Sequence, residues 1–389
     1  MSESLFFSIF LIFSGAAVLA SFALFTRQPL IVAYILLGIA FGPYGFNLVT
    51  DKKALEEIGH IGIVFLLFLL GLDLQPRNFL QLLSKTAFVA FASALVIGAV
   101  GFVVSYGFSY SVTEAVIIGL AITFSSTIIG LKLLPTTILH HKHTGEIVIG
   151  ILLLQDIIAI VILIVLNGLQ PAGNSHSQPW FYTLLALPGI LVFAMGFVRW
   201  VILPLLQKFD RFHEYIFLLA IGWCLGLAEL AKHFGLSIEI GAFIAGISLA
   251  NSPIAQYIAT SLRPLRDFFL ILFFFTIGAG FNLGLLSDIL APSLLLAGCV
   301  LLFKPVIYRV LLKWVGEPRD LSWEVGVRLG QTSEFSLLIA FIAYSLGFIR
   351  EEASLVIQGT AIMTFLVSTY IVVFRYPSPI AISDRLRRD

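Results

Sequence analysis

The sequence predicts an all-α polytopic membrane protein of thirteen transmembrane helices, arranged as two inverted six-helix repeats joined by a linking helix. Three observations carry that reading. Apolar residues are 59% of the 389 and charged ones only 12%, with a mean hydropathy of +1.03, far from the balance of a soluble domain. Apolar windows recur over the whole length, separated by polar or Pro/Gly punctuation. Once those windows are counted, the basic residues segregate almost entirely to one side.

The first window, 5–25, has no basic leader and no small-residue cleavage site, so it reads as a retained span. The second, 29–49, carries Gly38-Ile39-Ala40-Phe41-Gly42-Pro43, where glycines allow close helix contact and Pro43 stops a helix. The third, 57–72, ends at Gly71-Leu72-Asp73-Leu74, and Asp73 reads as a solvated or capping residue near the inner face. Windows 86–108, 113–134 and 145–167 complete a first repeat over 1–167. The uncharged segment Gly168 to Pro179 leads into the linking helix 180–207, so the linker occupies 168–207. The second repeat, 208–389, holds windows 214–232, 237–252, 264–281, 289–315, 321–347 and 352–376, and the whole forms one transmembrane domain.

An odd number of crossings puts the termini on opposite sides. With the C-terminus in the cytoplasm, only Lys52, Lys53, Lys232 and Arg350 face outward, while Lys304 and Arg328 fall within helices and every other Lys and Arg faces inward. That is the positive-inside asymmetry, and it supports both the count and the orientation. The net charge of +1 comes without a basic cluster interleaved with aromatics, so nucleic acid is not an expected partner, and no cofactor motif is present. Cys224 and Cys299 both lie in apolar windows and read as buried thiols.

The sixth window, GEIVIGILLLQDIIAIVILIVLN, is broken only by Gln155 and Asp156 at its centre. A span of ~20 residues crosses a hydrocarbon core of ~30 Å, which sets Asp156 near the midplane. A carboxylate facing lipid there costs ~3 kcal/mol or more, so it is expected to face a cavity, a partner charge or a transported ion. Two further windows carry polar runs at their centres. The fifth holds Thr123-Phe124-Ser125-Ser126-Thr127, and its inverted counterpart, the twelfth, holds Gly330-Gln331-Thr332-Ser333-Glu334. Such runs form helix poorly and can satisfy freed backbone groups, so two interrupted helices at matching positions point to a binding site. Close packing or interhelical hydrogen bonding through Ser and Thr is the plainer alternative.

Lys304, on the eleventh window just before Pro305, needs a carboxylate, a helix C-terminal end or loss of its proton at that depth. It reads as a fixed positive group balancing the negative ends of the broken helices, with snorkelling to the inner face as the bland alternative. Arg328 and Glu334 form a second opposite-sign set, brought to one face only if the helix breaks between them. His140, His141 and His143 cluster with Lys142 in a cytoplasmic loop, where a solvated or pH-sensitive surface is favoured over metal ligation.

At these residues the chain resembles the Kef-type branch of the monovalent cation:proton antiporter-2 family. The matching pieces are GIAFGPYG at 38–45, IGHIGIVFLLFLLGLDLQP at 58–76, SSTIIG at 125–130, LLLQDIIAI at 152–160, GLSIEIGAFIAGISLA at 235–250, FFFTIGAG at 273–280 and LGQTSEFSLLIA at 329–340. The resemblance implies the sodium/proton antiporter-like fold with two crossing broken helices. It places the cation-binding carboxylate on Asp156, preceded by Gln155 where sodium-selective relatives usually carry Asp or Asn, and the helix lysine on Lys304. It also implies a homodimer in a bacterial inner membrane. Many members continue into a cytoplasmic nucleotide-binding regulatory domain; no GxGxxG follows the last window here, so gating through such a domain is not part of the expectation.

The expected function is exchange of a monovalent cation, K⁺ ahead of Na⁺, for a proton at one shared carboxylate, which makes the cycle electroneutral. Asp156, Gln155, Thr127, Ser126 and Ser125 are the expected ion-binding set. Lys304, Glu334, Arg328, Gln331 and Ser333 are the expected charge-balancing and structural set. A channel-like K⁺ efflux pathway would want a TVGYG-type carbonyl filter, and an intramembrane enzyme would want an HExxH or GxSxG motif. None of these occurs in the sequence.

Overall fold

The computed structural model describes residues 5–49, 52–73, 76–133, 143–168, 180–209, 213–250, 252 and 255–378. His140, His141 and Lys142 lie outside the described residues. The first half contains α1 (Leu5–Phe25), α2 (Leu30–Phe41), α3 (Lys52–Asp73), α4 (Pro76–Gly107), α5 (Val112–Thr123), α6 (Thr127–Lys132) and α7 (His143–Gly168). Next come α8 (Trp180–Phe197), a π-helical turn over Val198–Ile202 and α9 (Leu203–Lys208). The remainder is α10 (His213–His233), α11 (Ile238–Ala250), α12 (Ala255–Ala279), α13 (Leu286–Trp314), α14 (Arg319–Arg328), α15 (Glu334–Ser345) and α16 (Glu351–Arg375).

Among the described residues, seven helices are long and apolar enough to cross a membrane, and shorter apolar helices such as Val112–Thr123 and Glu334–Ser345 lie between them. The protein is a multi-pass helical membrane protein. Several sequence windows differ in length from their helices, the second and the tenth among them. The second stops at Phe41 because Gly42 turns extended (φ −70°, ψ 178°) ahead of Pro43. The tenth begins earlier, at Ala255, because the polar turns around Thr260 and Ser261 continue a helix that hydropathy alone does not register.

The helices pack as two units. One comprises Met1–Thr50, Leu80–Leu163 and Ile277–Asp389; the other comprises Asp51–Phe79 and Ile164–Thr276. Each draws helices from both halves of the sequence, so inverted repeats and packing units are separate descriptions of the chain.

In the second unit, α3 lies directly on α11. A Cβ added at Gly71 would sit 2.5 Å from the Phe243 carbonyl oxygen, so only glycine lets the two backbones approach this closely. The core around them includes Phe65, Phe68, Leu69, Trp223 and Ile244. Phe65 stacks on Phe269 at 4.7 Å and Phe197 on Trp223 at 5.1 Å. The indole N–H of Trp223 donates to the Ser248 hydroxyl at 3.1 Å, which satisfies its one polar atom.

In the first unit, α13 packs on α14 and α16, while α5 packs on α15 and α16. Glycine again sets a close approach: a Cβ at Gly326 would fall 2.6 Å from the Pro305 carbonyl oxygen. On this unit a capping box at Ser111 and Glu114 starts α5. The Glu114 carboxylate also accepts from the Arg350 guanidinium at 2.9 and 3.1 Å and from its backbone N–H at 3.1 Å. That bidentate pair fastens α5 to the start of α16. It was not legible in the sequence, because nothing local pairs residue 114 with residue 350.

Candidate functional site

Both hydroxyl-rich runs are breaks in helices. Backbone over Phe124 to Ser126 is non-helical between α5 and α6, with Phe124 extended at φ −74°, ψ 151°. Residues 329–333 separate α14 from α15, with Ser333 at φ −119°, ψ 158°. The runs break here because their hydroxyls bond the local backbone in place of the helical ladder. The Ser126 hydroxyl accepts from the Ile129 N–H at 3.1 Å, and the Ser333 hydroxyl accepts from the Phe335 N–H at 3.1 Å. The Ser336 hydroxyl accepts in return from the Ser333 N–H at 3.2 Å, completing a cap on α15.

Lys304 joins the two breaks. Its side chain is fully buried, and its ammonium donates to the carbonyl oxygens of Phe124 at 2.7 Å and Gln331 at 2.8 Å. These are carbonyls that end α5 and follow α14, the negative ends of two helix dipoles. The Ser125 hydroxyl adds a second tie, donating to the Leu329 carbonyl at 2.9 Å. Lys304 therefore sits as a bracket between the breaks, and the snorkelling alternative does not describe it.

Asp156 lies on α7, 2% exposed, against the first break. The Thr127 hydroxyl lies 3.2 and 3.1 Å from its two carboxylate oxygens and donates to them. Glu334, in the first turn of α15, is near enough to act electrostatically on the same carboxylate. The site thus holds two acidic side chains, one hydroxyl donor and backbone dipoles, with Asp156 buried and Thr127 and Glu334 partly exposed.

Gln155 points elsewhere. Its Oε1 accepts from the Ser125 N–H at 3.0 Å and its Nε2 donates to the Tyr308 hydroxyl at 2.7 Å. Gln331 accepts at Oε1 from the Ser368 hydroxyl at 2.9 Å. Thr332 meets Thr364 through its hydroxyl at 2.8 Å and its N–H at 3.2 Å. Arg328 is also buried, at the end of α14 next to the break, but its side chain turns away: it pairs with Glu324 at 2.8 Å and donates to the carbonyls of Leu133 and Pro377. Its guanidinium further lies over the Tyr376 ring at 5.4 Å. The break thus does not make Arg328 a partner in the Asp156 cluster; it ties the end of α6 to the residues just after α16 instead.

The structure gathers Ser125, Ser126, Thr127, Gln155, Asp156, Lys304, Gln331, Ser333 and Glu334 around the two breaks. Sequence reading missed Tyr308, Thr364 and Ser368. Tyr308 follows Lys304 by four residues, the spacing of one helix face, and that was its only signal. His143 stands apart from this cluster, its two ring nitrogens within 3.1 Å of Glu146 and 3.0 Å of Glu317.

Residues 9–375 match the family model described as the transmembrane sodium/hydrogen exchanger. The chain belongs to that family. Membership of a monovalent cation:proton antiporter family, expected from the motifs, is thereby borne out. Relatives include the glutathione-regulated potassium-efflux system protein KefC of Salmonella arizonae, 30% identical over 85% of this chain and 54% of the relative. K(+) efflux antiporter 5 of Arabidopsis thaliana is 29% identical over 92% of the chain and 64% of its own length. The iron transporter MagA of Paramagnetospirillum magneticum is 27% identical over 88% and 79%. The chain thus spans little more than half to about two thirds of the two potassium-efflux relatives. The sodium proton antiporter MjNhaP1 of Methanocaldococcus jannaschii shares the fold, with a TM-score of 0.70 at 17% identity over 93% of this chain and 94% of that one.

Proposed function

We propose that this protein is a secondary antiporter that exchanges a monovalent cation, K⁺ ahead of Na⁺, for a proton at Asp156, one charge for one. The observation that carries the reading is the Asp156 carboxylate itself, buried against a helix break with the single Thr127 hydroxyl within reach of both its oxygens. An ionised carboxylate held there by one neutral donor remains short of ligands, so it binds either a dehydrated cation or a proton. Because one group serves both, loading one requires release of the other, and that mutual exclusion couples the two flows. Lys304 spends its donors on carbonyls, which leaves the carboxylate as the exchanging group.

The Ser126 and Ser125 oxygens, and the backbone carbonyls freed at the break, are the further ligands in this reading. Glu334 and Lys304 balance the local charge, while Gln331 and Ser333 hold the second break. Thirteen crossings with the N-terminus outside and the C-terminus in the cytoplasm, and a homodimeric assembly in the cell membrane, belong to the same proposal. K⁺ is favoured by the amide of Gln155, which adds no second charge next to Asp156, and by the potassium named in two of the relatives.

The test is transport in proteoliposomes with an internal proton-sensitive dye. Outward K⁺, Na⁺, Rb⁺, Li⁺ and Fe²⁺ gradients are applied in turn, with and without a valinomycin-clamped potential in the cation series that allows it. Saturable proton movement driven by K⁺ and indifferent to potential is expected. Dissipation of a cation gradient without any opposed proton movement would refute antiport.

A further inference from the structure

We infer that Tyr308 is a positioning residue for the cation site, acting through Gln155; this rests on the exchange reading above. Tyr308 lies on α13, its ring fully buried among Val89, Ile151, Leu152, Leu311 and Leu329. A phenol in such surroundings is costly unless its hydroxyl is bonded. It is bonded by an ordered chain. The Gln155 amide N–H donates to the phenol oxygen at 2.7 Å, and the hydroxyls of Ser93 and Ser125 lie against that same oxygen. Ser93 in turn donates to the Ala90 carbonyl at 3.0 Å, which leaves its oxygen to accept the phenol proton.

The orientation of the Gln155 amide is fixed at both ends. The Ser125 backbone N–H can only donate, so the group 3.0 Å from it must be the carbonyl oxygen Oε1. The amide nitrogen then has to face Tyr308. In consequence Tyr308 holds two pieces in register: the α7 turn bearing Asp156, and the break whose next residues carry the Thr127 hydroxyl. It also keeps the Gln155 N–H groups off the neighbouring carboxylate. Without the phenol oxygen those donors are buried and unpaired, and the acceptor one residue along is Asp156. An amide bonded there competes with the cation for the same lone pairs.

The experiment is Tyr308→Phe in proteoliposomes, with cation-dependent exchange measured over a range of K⁺ and Na⁺ concentrations and folding checked by thermal melting. The ring and its packing are retained while the hydroxyl that accepts from Gln155 and donates to Ser93 is lost. The apparent KM for the cation is expected to rise about fivefold, with a smaller effect on maximal rate, the size of one neutral hydrogen bond. A general loss of folding quality would instead lower the rate of surviving transporters at unchanged KM. Should Tyr308→Phe fail to fold, Ser93→Ala carries the test, since it removes the acceptor of the phenol proton while leaving α7 and the break untouched. A KM rise of about twofold is then expected. Wild-type exchange with an unchanged KM in the folded variant overturns the role of Tyr308. Absence of exchange in the wild type overturns the exchange reading itself.

Discussion

Replacing Lys304 with methionine removes the one cation between the two breaks while nearly conserving volume. Two carbonyl oxygens, bonded at 2.7 and 2.8 Å, are left buried and without that donor. Each such orphaned group costs about 1–3 kcal/mol. The two oxygens lie no more than about 5.5 Å apart, and half a charge on each helix end gives a repulsion of about 0.8 kcal/mol at an effective dielectric of about 20. Relief of burying an ammonium works in the other direction, but the lost dipoles and the reopened break are local to the same site. The net expectation is a destabilisation of about 3 kcal/mol, or a fall in melting temperature of roughly 4 °C. Size-exclusion detection of the purified protein after a temperature series measures it. A Lys304→Met protein melting within a couple of degrees of wild type would refute the bracket role, as would wild-type transport combined with unchanged melting.

Three other outcomes follow from the same geometry. Asp156→Asn should abolish cation-dependent proton movement in proteoliposomes while leaving the melting temperature close to wild type, because the amide still accepts from Thr127 yet cannot alternate between proton and cation. Exchange near the wild-type rate would remove Asp156 from the mechanism. Gln155→Asp should gain Na⁺ or Li⁺ preference and voltage dependence through the added charge. Unchanged preference and unchanged voltage independence would separate Gln155 from selectivity. Glu114→Gln breaks the pair with Arg350, whose side chain is 64% exposed, so solvent screening limits the loss to about 1 kcal/mol, read as a small drop in melting temperature with transport retained.

Much of this architecture is written locally in the sequence. A run such as Ile147 to Leu166 announces a buried helix by length and apolarity, and the two hydroxyl runs announce breaks because Ser and Thr compete for the backbone they sit on. Asp156 stands out because a lone carboxylate in such a run is energetically conspicuous. Partnerships are another matter. The pairing of Lys304 with Phe124 and Gln331 uses backbone carbonyls, which every residue possesses, so no residue type marks it. Arg328 was grouped with Glu334 by charge sign, whereas folding turns it to Glu324 and to carbonyls of Leu133 and Pro377. Gln155 drew attention as a neighbour of Asp156, yet adjacent residues on a helix point ~100° apart, and its amide is taken up by Ser125 and Tyr308.

The lysine bracket also sets an order of events in biosynthesis. Phe124 leaves the ribosome 180 residues before the amine that will bind it, an interval of roughly ten to forty seconds at ordinary elongation rates. Through that interval the carbonyl ending α5 has already entered the bilayer, where a bare backbone acceptor is expensive and must borrow water or another donor. The same amine closes the second break only after Gln331 has followed. A nascent chain halted between these points carries a visible defect at its centre, and synthesis past Gln331 erases it. Closure of the transport site thereby waits until both breaks and the lysine between them have been made, which gives membrane quality control a sharp criterion for discarding copies halted before Gln331.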